Sequence, residues 1–367
     1  MSTSRKHIVL VSSEFPPQPG GIGNHAYHLA LHLSQQDYDV KVIADQRSAN
    51  GKEEHTFDCK QPFEIVRIKR YNMRFFMYLQ RIKKTYASLK HAHHVIATGK
   101  FSLWNVALLS QLRKVKTLAV IHGTEVNFKS VVLRKSIDLS LKTMDKIVAV
   151  SNYTKSLISY LNLNVVVIPN GIDASEWQND NQTNVKLKGN PVLTTVGRVS
   201  SRKGQLNVIK QLPELIKQFP EIHYHCIGIP SEAEAFKTVA KQLNVESYVT
   251  FHGKLELELL KQKVSATDIF VMMSSESKSG DVEGFGIAIL EANALGIPAI
   301  GAKGCGIEDA VKDGVSGVLI PLHDSEQFIK AIALILKDKN RFQYEARAWA
   351  EQHDWSNIIT KYTALLD

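Results

Sequence analysis

Glu283 and Glu291 stand eight positions apart around Gly284-Phe285-Gly286, in the stretch DVEGFGIAILEA. An apolar helical run follows the glycines, so the free N–H groups of Phe285, Gly286 and Ile287 fall at a helix start. There the helix dipole and the unpaired amides favour an anion. Glu283 precedes that helix, where it can face a ligand, and Glu291 lies on it, about one turn in. Either glutamate by itself reads as a surface carboxylate or a dipole partner, whereas the spaced pair around E-G-F-G reads as a ligand site. A second constellation, Gly197-Arg198-Val199-Ser200-Ser201-Arg202-Lys203-Gly204, lies between the strand-like VLTTV and the helix-like QLNVIKQLPELIKQF. Its backbone amides, with Arg198 and Lys203, offer what a diphosphate requires. A solvated basic turn is the competing reading.

Near the N-terminus, PPQPGGIGNHA contains G-x-G-x-x-A at Gly21, Gly23 and Ala26, and Asp45 follows nineteen residues later. This approaches the dinucleotide fingerprint. However, seven residues, Phe15–Gly21, three of them proline, separate Glu14 from Ile22. Such a protruding loop does not bring a helix tightly onto a pyrophosphate, so an NAD-dependent enzyme is a minor alternative and Asp45 reads as the polar end of a strand. Glycines in the loop still let backbone approach a ligand closely. Asp37-Tyr38-Asp39 has the D-x-D form of a metal-holding pair but falls in a helix-to-strand turn, where aspartates serve turn chemistry. With Arg198 and Lys203 available, a diphosphate needs no divalent ion, so no metal and no cofactor is expected. His122 ends an apolar run, and a lone histidine there is structural in most proteins. Glu125, three residues on, is a weaker candidate.

These residues need elements to hold them. Short Val/Ile/Leu runs alternate with longer helical patterns. Strands are expected at 7–12, 40–44, 64–68, 94–97, 117–121, 146–150 and 165–168. A second series is expected at 192–196, 223–227, 248–251, 268–272, 298–300 and 317–320. Continuous apolar strands between helices imply parallel sheets covered on both faces. The expected fold is α/β, with two Rossmann-like, doubly wound domains. The first spans 1–172, a polar linker 173–190, and the second 191–345. Helical patterns at 325–339, 341–352 and 355–366 end the chain.

The 367 residues exceed one ordinary core, and 44% apolar with 22% charged residues describes a globular protein. Cys59, Cys226 and Cys305 are far apart, which excludes a CxxC pair and argues against a disulfide framework. The apolar run in MSTSRKHIVLVSSEF is too short for a signal peptide and no run suggests a membrane span, so a cytoplasmic setting is expected. Charge is uneven: residues 1–170 carry 24 Lys/Arg against 11 Asp/Glu, and residues 171–367 carry 21 against 25. Between Ile65 and Thr124 there are twelve Lys/Arg and no acid. An anionic partner follows. In RFFMYLQRIKKTYASL (74–89), Phe75, Leu79, Ile82, Tyr86 and Leu89 recur at helical spacing beside Arg81, Lys83, Lys84 and Lys90. The plain reading is a helix packing this stripe on its own sheet. The other is a helix on an anionic membrane surface, with 67–90 as the contact and the inner membrane face as its place. Nucleic acid is not expected, since zinc spacing, an RNP-type aromatic set and a basic heptad region are all missing.

The combination E-x7-E with G-F-G, preceded by G-R-x4-K-G, resembles retaining glycosyltransferases of family 4. PPQPGGIGNHA resembles that family's first loop, IHGTE its strand-end histidine, and VSNYTK and IPNGID its stretches before the linker. SGDVEGFGIAILEA is particularly similar to mannosyltransferases acting on phosphatidylinositol mannosides. The resemblance covers nearly the whole chain. It implies GT-B architecture, two Rossmann-like domains facing a cleft, with the helices of 346–367 crossing back to the first. It implies a nucleotide-diphosphate sugar as donor, either GDP-mannose or a UDP-sugar, a glycan or lipid-linked acceptor, and retention of configuration. It also implies residue roles: Glu283 on the sugar hydroxyls, Glu291 on the ribose hydroxyls, Arg198, Lys203 and the Phe285–Ile287 amides on the diphosphate, and His122 orienting the donor sugar. Gly21 and Gly23 would line the donor phosphate, and backbone around Gly253, Lys254 and Leu255 would read the base. The turn GIPSEAE departs from the pattern, with Pro230 where a second glycine is common. A nucleotide-sugar epimerase of the same fold and a non-catalytic nucleotide-sugar binder are the rival readings.

Overall fold

The computed structural model describes residues 5–178, 185–277 and 280–367. Part of the expected linker, 179–184, therefore lies outside the described residues. The chain forms two units, Met1–Gly171 with Trp355–Asp367, and Ile172–Asp354.

In the first unit the elements are β1 (His7–Ser12), α1 (Gly21–Gln35), β2 (Asp39–Asp45), α2 (Lys52–Asp58), β3 (Glu64–Ile68), α3 (Arg74–Ser88), β4 (His94–Thr98), α4 (Lys100–Arg113), β5 (Lys116–Ile121), α5 (Val131–Lys142), β6 (Lys146–Ala149), α6 (Asn152–Ser156) and β7 (Val165–Val167). The sheet order is β3-β2-β1-β4-β5-β6-β7, and every pair is parallel. The central strands are buried along nearly their whole length because helices cover both faces.

The second unit contains β8 (Val192–Val196), α7 (Gln205–Gln218), β9 (His223–Ile227), α8 (Ala233–Gln242), β10 (Val249–Gly253), α9 (Leu257–Ser265), β11 (Ile269–Met272), α10 (Ile287–Ala294), β12 (Ala299–Ala302), β13 (Gly317–Ile320), α11 (Ser325–Lys337) and α12 (Lys339–Gln352). Its order is β10-β9-β8-β11-β12-β13, again parallel throughout. Both sheets are doubly wound, and their order reverses beside the first strand, at β1/β4 and at β8/β11.

The C-terminal segment divides differently from the expected 346–367. Phe342, Ala346 and Ala350 bury α12 against α10, so α12 stays with the second unit, which runs to Asp354. Only α13 (Trp355–Leu366) belongs to the first, packing Trp355, Ile358, Ile359 and Tyr362 on α1. The expected linker 173–190 likewise belongs to the second unit where it is described.

The helix α3 contradicts the plain reading of its stripe. Its buried residues are Arg81 and Thr85, while Phe75 (59% exposed), Phe76, Leu79 (47%), Ile82 and Tyr86 face outward. Arg81 turns inward because Asp45, at the end of β2, binds it: Asp45 Oδ2 accepts from one guanidinium nitrogen at 2.5 Å and Oδ1 from Nε at 3.2 Å. Thr85 Oγ1 accepts from Asn105 Nδ2 of α4 at 2.8 Å. Two polar contacts thus fix which face of an amphipathic helix looks in.

Candidate active site

Ligands of doubly wound sheets bind beyond the carboxyl ends of the strands, where the order reverses. In the second unit that point is flanked by the segments after β8 and after β11, which are the two constellations read from the sequence.

The segment after β8 is locked in place. Gly204 has φ +82°, and a Cβ there would lie 1.9 Å from the carbonyl oxygen of Met273, so a side chain is excluded both by conformation and by space. Ser275 N–H donates to Arg202 O at 3.2 Å. From the first turn of α7, Asn207 Nδ2 donates to Met273 O at 2.8 Å. Buried Gln205 accepts from Ser200 N–H and donates to Arg198 O, both at 3.2 Å. The GIPSEAE turn adds a brace, with Val199 N–H donating to Ile229 O at 2.9 Å and Ser201 Oγ to Glu232 at 2.6 Å. The segment after β11 is anchored by Gly306, whose N–H donates to Glu283 O at 3.0 Å; a Cβ on Gly306 would lie 2.1 Å from Gly284 O.

These braces bring Glu283 to two cations. Its Oε2 accepts from Arg202 at 2.6 Å and from Lys203 Nζ at 2.8 Å. Burial pulls the Glu283 pKa up, but Lys203 and Arg202 outweigh it and hold the carboxyl below its ordinary value. Glu291, half-buried on α10, has its pKa pushed up to about 7 by burial; Lys203 opposes the shift and Glu176 adds to it. Lys203 thus acts on both glutamates. The amides of Phe285, Gly286 and Ile287 donate to no backbone acceptor among the described residues. The Phe285 side chain is in the core, 6.1 Å from the His353 ring, so only its backbone is available.

Arg198 does not join the cluster. Its side chain is exposed and makes no ion pair among the described residues; the arginine that pairs with Glu283 is Arg202. The sequence singles out Arg198 for a diphosphate but does not say which arginine of the loop turns toward Glu283, which only the loop's fold decides. Gly253, Lys254 and Leu255 lie at the end of β10, two strands from β8 or about 10 Å across the sheet. Gly253 O accepts from Gly228 N–H at 2.9 Å, joining this edge to the turn after β9.

In the first unit, His122 follows β5 and is buried. Its Nε2 is bonded to Thr98 Oγ1 at the end of β4, 2.8 Å away, and the buried His25 of α1 meets its ring edge-to-face at 4.9 Å. Burial lowers the His122 pKa to about 3, so the ring is neutral. Glu125 is 2% exposed; its Oε1 accepts from His122 N–H, while Oε2 has no partner among the described residues. Burial raises its pKa to about 7, against hydrogen bonds from its own N–H and that of His122. Gly21 faces open space, whereas a Cβ on Gly23 would lie 2.9 Å from Phe15 N, so Gly23 serves the loop's own packing. Asp37 pairs with Arg5 and Asp39 with His7, as turn and strand-end residues. Asp45, occupied by Arg81, is not free to hold a ribose.

Residues 177–352 match the family described as glycosyl transferases group 1, and residues 19–176 match Glycosyltransferase Family 4. The GDP-mannose-dependent alpha-(1-6)-phosphatidylinositol monomannoside mannosyltransferase of Mycolicibacterium smegmatis is 26% identical over 378 residues, covering 98% of each chain. A GDP-mannose-dependent monoacylated alpha-(1-6)-phosphatidylinositol monomannoside mannosyltransferase of Corynebacterium glutamicum is 26% identical over 358 residues, covering 93% of this chain and 91% of that one. Among solved structures, Anabaena HepE in complex with UDP and glucose superposes with a TM-score of 0.78 at 18% identity, over 99% of each chain. With two parallel, doubly wound units and matches to both halves of one enzyme family, the chain belongs to glycosyltransferase family 4 and is a hexosyltransferase of the GT-B type.

Proposed function

We propose that this enzyme moves a hexosyl group from a nucleotide-diphosphate sugar to a glycan or lipid-linked acceptor, with retention of configuration and without a metal ion. GDP-mannose is placed first as donor, because the relatives reported above are named for it, and a UDP-sugar second. The observation that carries this reading is Lys203 paired with Glu283 at 2.8 Å and lowering the pKa of Glu291, at the β8/β11 reversal beside the open amides before α10.

Breaking the anomeric C–O bond leaves positive charge on the sugar and negative charge on the departing diphosphate. Lys203, Arg202 and the amides of Phe285–Ile287 stabilise the second charge, and fixed donors that need no reorganisation are the effective kind. Exposed Arg198 adds a cation at the loop's edge. Glu291 accepts from the two ribose hydroxyls, and Glu283 from the sugar hydroxyls. On the first unit, neutral His122 exchanges a hydrogen bond with the donor sugar. In a retaining transfer the acceptor oxygen bonds to the anomeric carbon on the face the phosphate leaves, and a phosphate oxygen takes the acceptor's proton. Cations on that phosphate keep it a good leaving group.

The acceptor reading rests on the layer α3–α4–α5, which exposes Phe75, Leu79, Leu112 and Val132 among the cations Arg74, Lys83, Lys114 and Lys135. Such a face suits an anionic bilayer and a lipid-linked acceptor within it. Among the described residues no helix is long and apolar enough to cross a membrane, so attachment would be peripheral.

A thermal-shift screen of GDP-mannose and UDP-sugars tests the donor, since a bound ligand raises the melting temperature with concentration. One donor should stabilise the wild type. Lys203→Ala and Glu291→Ala should stay folded and lose roughly 10- to 100-fold in donor kcat/KM, the equivalent of one charged hydrogen bond each. Unchanged donor kinetics in both variants contradicts the assignment.

A further inference from the structure

We propose that Glu283 is an exchangeable counter-ion of the diphosphate site. In the structure it holds Arg202 and Lys203, and it gives them up fully only to a nucleotide that brings sugar hydroxyls to replace them. The inference rests on the donor site proposed above and adds a reason why the product leaves it.

Both cations converge on one oxygen of one buried carboxylate, Oε2 of Glu283, at 2.6 and 2.8 Å, while Oε1 has no hydrogen bond among the described residues. The backbones that carry the three side chains are fixed, by Gly204 against Met273 O, by Ser275 N–H on Arg202 O and by Gly306 N–H on Glu283 O. The side chains are therefore the parts free to rearrange. A diphosphate entering this site competes with Glu283 for the same two cations. Bare nucleoside diphosphate can win them only by leaving a buried carboxylate unpaired, which is strongly unfavourable. A nucleotide sugar supplies hydroxyl donors to that carboxylate at the moment the cations move away. After transfer the sugar departs with the acceptor, Glu283 reclaims Arg202 and Lys203, and hold on the diphosphate weakens. The same carboxylate thereby favours the substrate over its own product.

Calorimetric titration of GDP and UDP into wild type and Glu283→Gln tests this, because the amide carries no charge to compete. The nucleoside diphosphate that binds wild type should bind Glu283→Gln about tenfold tighter. Arg202→Gln should weaken binding more in the Glu283→Gln background than in wild type, because only there does Arg202 bind without first losing a partner. A measurement on wild type alone covers the case in which Glu283→Gln does not fold. A large excess of free mannose or glucose should tighten nucleoside diphosphate binding, since coupling between the two ligands is reciprocal. If wild type binds GDP or UDP but Glu283→Gln binds no tighter, or if free hexose leaves wild-type affinity unchanged, the exchange is overturned and the donor site stands. If neither GDP nor UDP binds wild type or Glu283→Gln, the donor site falls and the exchange with it.

Discussion

Lys203 lowers the pKa of both glutamates near it, yet their net shifts are opposite. Glu283 gains two cations at hydrogen-bond distance and stays ionised, whereas Glu291 gains only a partial field against its burial and reaches about 7. Glu125 shows the same physics without a cation in contact. Its folded pKa of about 7 lies above the ordinary 4.5, so the folded chain holds a proton that the unfolded chain releases. That contribution to stability is full below the unfolded pKa and is lost as pH rises through 7. Glu125→Gln should therefore gain stability relative to wild type on going from pH about 5 to pH about 8, by at most about 3 kcal/mol. Urea midpoints at the two pH values check this, and a pH-independent difference would mean an unperturbed carboxyl. At this scale the E-x7-E pair and Lys203 were legible, because each needs only a residue type and a spacing. Arg202, Gln205 and Asn207 were not, because their partners lie 81, 7 and 66 positions away along the chain, or on a loop whose turn the sequence leaves open.

Among the elements, α3 departs most from what its periodicity suggests. An amphipathic stripe says that one face differs from the other, and in most domains the apolar face is the inner one. Here Asp45 and Asn105 claim Arg81 and Thr85, and a buried carboxylate without its cation would cost more than an exposed Phe75 or Leu79. Arg81→Ala should accordingly destabilise the fold by about 3–5 kcal/mol through the stranded Asp45. Phe75→Ser and Leu79→Ser should each stay within about 0.5 kcal/mol of wild type. Urea unfolding of the three variants decides it. The reverse ranking would place the apolar stripe inside. The strands behaved otherwise: β1, β4, β8 and β11 lie where continuous apolar runs put them, because a strand buried on both faces has no second orientation to choose.

Across the whole molecule, the surplus of Lys/Arg in residues 1–170 and the outward stripe of α3 fall on the same unit. Basic charge steers a protein to an anionic bilayer, and exposed apolar side chains hold it there; the first contribution is screened by salt and the second is not. In flotation assays the wild type should rise with phosphatidylglycerol vesicles and stay down with phosphatidylcholine. Added salt should weaken the interaction, and Phe75→Ser/Leu79→Ser should abolish it. Equal binding to both vesicle types counts against a charged membrane face.

The sequence by itself determined two parallel, doubly wound sheets, the loops that follow β8 and β11, and the acids and cations those loops bear. Periodicity, glycine placement and charge are local properties, and strands buried on both faces admit few topologies. Tertiary structure alone decided that Arg202 rather than Arg198 meets Glu283, that α12 stays with the second unit while α13 joins the first, and that α3 turns its apolar side out. Each of these is a competition between distant partners for one buried position: for Arg202 and α3 it turns on which polar group would otherwise be left without a bond, and for α12 and α13 on which apolar face each helix buries.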